Sequence, residues 1–102
     1  MITETAPATS ADVAEIFAGD YLNKLTGERI EYECRRRLDD GYRKILVNFS
    51  QTEIVNSIGI SILLGVIDVA AKNGAEVAFT DVNEHTIELF DLLGLTKHVT
   101  IQ

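Results

Sequence analysis

Two short apolar runs, Ile45-Leu46-Val47-Asn48-Phe49 and Val77-Ala78-Phe79-Thr80, stand on either side of a helical stretch from about residue 57 to residue 72. Runs of this length, rich in β-branched and aromatic residues, read as buried strands. A long crossover through a helix brings the second strand back alongside the first in parallel, and such crossovers are right-handed. This unit constrains the fold more than any other stretch, and the rest of the chain repeats it. Residues 13–18 read as a strand closed by a Gly19-Asp20 turn. A first helix follows, with Thr26 as its N-cap and Leu25 and Ile30 as a hydrophobic staple around it. Ile30, Cys34 and Leu38 form its apolar stripe, and Gly41 suits the left-handed residue that stops it. Asn73-Gly74 stops the second helix. Asn83 caps a third, which carries Ile87, Phe90 and Leu93, and Gly94 ends it with Leu95 placed to touch Phe90. Residues 99–101 close the chain as a short strand. The expectation is one α/β domain over residues 1–102, a mostly parallel central sheet of about four strands with helices packed against it. Residues 1–11 read as a loose arm or an edge strand.

The second helix is unusually apolar. At about 100° per residue, Ser61, Gly65, Asp68 and Lys72 share one narrow stripe, and Ile62, Leu63, Val66 and Ala70 lie opposite, toward the sheet. Ile60, Leu64, Ile67 and Ala71 fill one flank, and Ile58 and Val69 fill the other. A surface helix devotes a little over a quarter of its circumference to apolar residues, far less than this one does. Either neighbouring elements cover the flanks, or Ile60 and Leu64 stay exposed as a docking surface for another protein. Gly65 would let a partner approach the backbone, and Ser57 opens the same helix.

Other chemistries are poorly supplied. A net charge of −7 disfavours nucleic acid, since phosphate neutralisation needs a dense basic face. The Arg35-Arg36-Arg37 run with Arg43 and Lys44 is interleaved with Glu33, Asp39 and Asp40 and reads as a solvated helix face. Cys34 is the single cysteine, so no intrachain disulfide and no cysteine-based metal site can form, and it reads as a packed small hydrophobe. No signal-peptide pattern is visible, and the apolar stretch 58–71 is too short for a membrane span of about 20 residues. A cytoplasmic domain without direct membrane insertion is expected. No phosphate-cradling glycine loop is present, and Leu63 stands where the closing glycine of a nucleophile elbow belongs. His85 and His98 lack a neighbouring His or Cys and read as solvent-exposed. The chain is expected to be no enzyme, with no cofactor and no metal.

Residues 45–50, then Ile54-Val55-Asn56-Ser57-Ile58-Gly59-Ile60-Ser61-Ile62-Leu63-Leu64-Gly65, then Phe90-Asp91-Leu92-Leu93-Gly94-Leu95-Thr96-Lys97, resemble the bacterial anti-sigma-factor antagonist family, whose fold is the STAS domain. The match runs through roughly residues 13–101 and is strongest from 41 onward. That family carries an Asp-Ser-Ser/Thr-Gly-Leu-Gly junction, against which Asn56 replaces the Asp, Ile58 the second hydroxyl residue and Ser61 the second glycine.

The resemblance implies a phosphorylation-switched binding module that regulates transcription. Ser57 would accept phosphate from a partner serine kinase that doubles as an anti-sigma factor, and a phosphatase would reset it. Unphosphorylated, the domain would hold the kinase through Asn56, Ser57, Ile58, Gly59, Ile60, Ser61 and Leu64, and phosphorylated it would let go. A phosphate at a helix start gains from free N–H groups, while its charge of about −1.5 to −2 opposes burial of an adjacent apolar flank. Asn56 removes a charge beside the acceptor and keeps the ability to cap. The alternative is a constitutive STAS scaffold, in a signalling assembly or as a cytosolic transporter subunit.

Overall fold

Right-handed crossovers that always step in the same direction place every connecting helix on the same face of a sheet, and this chain is built that way. The computed structural model describes residues 13–102, so the expected arm at residues 1–11 lies outside the described residues. The elements are β1 (Val13–Phe17), β2 (Tyr21–Leu22), α1 (Lys24–Asp39), β3 (Lys44–Asn48), β4 (Ile54–Val55), α2 (Ser57–Lys72), β5 (Glu76–Thr80), α3 (Glu84–Leu92), a 3₁₀ turn (Leu95–Lys97) and β6 (Thr100–Ile101). Among the described residues the main sheet has four strands in the order β1-β3-β5-β6, all parallel. The expected α/β class and four-stranded parallel sheet are what the chain adopts.

Register explains the core. Ile16, Val47, Phe79 and Ile101 are aligned across the four strands, and side chains alternate between faces along each strand. Ala14, Ile16, Ile45, Val47, Val77 and Phe79 are thereby buried under the helices. Phe49, just past β3, meets Phe79 with ring centroids 4.9 Å apart and Phe90 of α3 at 5.5 Å, both edge-on. This is the favoured approach for aromatic quadrupoles. On the opposite face Val13 and Phe17 are exposed.

α1 and α2 run side by side. A Cβ on Gly27 would lie 3.2 Å from the Ile62 side chain, so a glycine is what lets the helices approach so closely. Ile30 and Cys34 are buried as expected, with Leu38 packed at the margin. Helix α1 begins earlier than the sequence reading places it. Asn23 is the N-cap, its Oδ1 accepting from Thr26 N–H at 3.0 Å, while Thr26 Oγ1 accepts from Asn23 N–H at 2.8 Å. Thr26 is therefore the reciprocating third residue of a capping box, and Leu25 is exposed rather than stapled to Ile30. Asn outranks Thr as an N-cap because its amide oxygen reaches the free N–H groups with less crowding. Asn83 caps α3 through Thr86 N–H, and Gly94 follows its C-cap at φ 86°. Leu93 departs from the expected apolar face of α3 and is exposed.

Candidate functional site

The segment leading into α2 is fixed before the helix starts. Ile54 and Val55 pair in parallel with Tyr21 and Leu22, forming a second, two-stranded sheet that sequence periodicity does not reveal. Asn56 N–H then donates to the Leu22 carbonyl at 2.9 Å. Asn56 has extended backbone, φ −112° and ψ 161°, and its Oδ1 accepts from Gly59 N–H at 3.0 Å. Its carbonyl accepts from Ile60 N–H at 3.2 Å, and its amide nitrogen reaches toward the Tyr21 hydroxyl at 3.4 Å. Asn56 is thus the N-cap.

Ser57 is the first helical residue, exposed to solvent. Among the described residues, nothing hydrogen-bonds the Ser57 hydroxyl or accepts from the N–H groups of Ser57 and Ile58. Unpaired N–H groups in the first turn, with the positive end of the helix dipole, favour negative charge there.

Gly59 is buried for a steric reason. A Cβ there would lie 2.9 Å from Leu22 Cγ and 3.0 Å from the Asn23 carbonyl oxygen. Ile60 corrects the sequence reading, which considered it an exposed partner of Leu64. It is 2% exposed and belongs to the core, because α2 is rolled so that Ile60 and Ile67 face inward. Leu64 is 36% exposed, as one of the two readings expected, and Ser61 is exposed. The apolar residue presented beside Ser57 is instead Ile58, at 54% exposure.

Three neighbours escaped the sequence reading. Tyr21 and Ile54, opposite each other in the small sheet, are 38% and 57% exposed, and Leu25 in the first turn of α1 is 75% exposed. Tyr21, Leu25 and Asn56 line one shallow hollow with Asn23, Lys24 and Glu28. Leu25 carried a signal, since it falls away from the Ile30-Cys34-Leu38 stripe. Tyr21 and Ile54 carried none short of the tertiary pairing. The site offers an exposed hydroxyl, free N–H groups and apolar surface. Among the described residues no group of three or more His, Cys, Asp or Glu side chains could hold a metal, and no helix is long and apolar enough to cross a membrane.

Comparison with known proteins matches this architecture. The STAS domain family model covers residues 9–102, and the chain belongs to that family. No curated protein sequence matches it. A crystal structure of a candidate anti-sigma factor antagonist from Thermotoga maritima is similar, with TM-score 0.76 and 22% identity over 88% of this chain and 78% of that one. The anti-sigma factor antagonist SpoIIAA in its unphosphorylated form gives 0.72 and 15% over 89% and 81%. Its phosphorylated form, described as a Bacillus cell fate determinant, gives 0.68 and 16% over 90% and 84%. The STAS domain of a SulP transporter from Vibrio cholerae gives 0.72 and 15% over 87% and 73%.

Proposed function

We infer that this domain is a non-enzymatic, cytoplasmic anti-sigma-factor antagonist whose binding is switched at Ser57. The observation that carries the reading is an exposed serine at the first position of a capped helix, flanked by exposed Ile58, Tyr21, Ile54 and Leu25. Unphosphorylated, this surface buries against an anti-sigma factor that is also a serine kinase. Transfer of the ATP γ-phosphoryl group to Ser57 Oγ, with loss of the hydroxyl proton, places about −1.5 to −2 of charge at the edge of the apolar contact. Burying that charge costs more than the free N–H groups return, so the complex dissociates. A phosphatase restores the hydroxyl. SpoIIAA, known in both phosphorylated and unphosphorylated forms, supports the reading by likeness of fold.

The test is incubation with a candidate kinase and ATP, with phosphate mapped by mass spectrometry. Modification at Ser57 and loss of kinase binding by Ser57→Asp are expected. An unmodified Ser57 together with unimpaired Ser57→Asp binding rejects the switch.

A second reading rests on Asn56, which stands where the antagonist motif carries Asp. A constitutive scaffold using the same surface, as a transporter STAS domain would, predicts that Ser57→Ala and Ser57→Asp both bind normally while Leu25→Arg does not.

A further inference from the structure

Where the strands of the main sheet begin, Arg36, Arg37, Arg43, Lys44 and Lys72 are interleaved with Asp39, Asp40, Asp68 and Glu76. The opposite end carries Ser57. There the Asp20 carbonyl accepts from the N–H groups of Glu53 and Ile54 at 2.9 and 3.2 Å, so two acidic residues meet beside the exposed Tyr21–Ile54 pair. Glu28 lines the hollow with Tyr21 and Leu25. Asp20, Glu28 and Glu53 are all exposed, and none is in an ion pair among the described residues. Lys24 is the one cation lining that hollow. Arg29 does not line it, its guanidinium being held by Glu33 and the carbonyls of Phe17 and Ala18.

An apolar centre with an acidic rim fits a complementary surface of the opposite sign. We propose that the occupant of this surface is a protein whose contact face is basic and amphipathic, with apolar residues on the Tyr21–Leu25–Ile54–Ile58 centre and Lys or Arg residues against Asp20, Glu28 and Glu53. The proposal rests on the docking reading above and adds the partner's chemistry. It also separates attraction from release. The rim draws the partner in by long-range attraction, so a phosphate on Ser57 cannot act by repelling a basic face. It acts at short range, through the cost of desolvating a dianion beside Ile58.

The probe is an amphipathic helical peptide of Leu and Lys, about 15 residues long, with a Leu/Glu counterpart. Binding is followed by fluorescence anisotropy, with amide chemical shifts to locate it. The Leu/Lys peptide is expected to perturb Tyr21, Leu25, Ile54 and Ile58. Its affinity should fall about tenfold in Leu25→Ser and in the Asp20→Lys/Glu53→Lys pair. It should also fall as salt rises from about 0.1 M to about 1 M, where the screening length shrinks from ~10 to ~3 Å. Leu92→Ser, at the most exposed large hydrophobic side chain of the described residues (81%), should leave it unchanged. Equal or tighter binding of the Leu/Glu peptide overturns the proposal, as does a shift map centred on α3. Concentration-dependent self-association abolished by Leu25→Ser would make a second copy the occupant and overturn it too. The peptide needs neither kinase nor phosphate, so its failure leaves the Ser57 phosphorylation assay standing, and failure of that assay leaves the peptide result standing.

Discussion

Gly59 and Gly65 lie on the same helix and should respond in opposite ways to alanine. The Cβ of Gly59→Ala would press on backbone atoms of Leu22 and Asn23, which cannot step aside as a flexible side chain would. Overpacking of this kind costs about 1–3 kcal/mol, against a helix-propensity gain of at most about 1. Gly65→Ala meets nothing within 4 Å and should raise stability by roughly 0.5–1 kcal/mol. Urea denaturation of both variants reads the two signs. Burial pushes the Cys34 thiol up to about 11, so native protein should resist thiol alkylation that the unfolded chain undergoes. An ordinary thiol ionises near 8.5, and the folded one holds its proton longer. The stability Cys34 contributes is therefore complete below about pH 8.5 and is lost as pH rises through about 11, which denaturation at pH 8 and pH 10.5 would detect. Cys34 was readable from its place in a four-residue stripe. The burial of Ile60 was not, because a helix apolar on most of its circumference does not announce its rotation.

Among the elements, the helices and main strands were legible from periodicity, while their ends depended on which polar residue captures the first free N–H groups. Asn23 and Thr26 both suit a helix start, and only the reciprocal bonds between them decide which one caps. The strands β2 and β4, two residues each, are too short for any alternation to register. They nevertheless set the approach to Ser57, so the surroundings of the candidate site were less legible than the serine itself. Asn23→Ala and Asn56→Ala should each cost about 1 kcal/mol, read from thermal or urea midpoints. Asn56→Asp should retain the cap and gain at most a few tenths of a kcal/mol from the dipole. Under the antagonist reading it should also raise the rate of Ser57 phosphorylation by a partner kinase, measured by mass spectrometry over time.

At the scale of the molecule, one aromatic cluster ties the last helix to the sheet. Phe90 meets Phe49 at 5.5 Å and Phe79 at 5.4 Å between ring centroids. Phe90→Ala should cost about 3–5 kcal/mol, with hydrogen exchange rising first across α3, which few other large side chains anchor. That the sheet is parallel followed from strands alternating with helices, while its order β1-β3-β5-β6 did not, and the family was legible in the junction at residues 54–65. The small sheet of Tyr21–Leu22 and Ile54–Val55 has one more consequence. It staples the serine-bearing junction to a stretch that precedes it by a whole helix and a strand, so what a kinase meets is a composite of two distant segments. A synthetic peptide of residues 50–65 would carry the same letters as the junction without that shape, and it should be a far poorer phosphate acceptor than the folded chain.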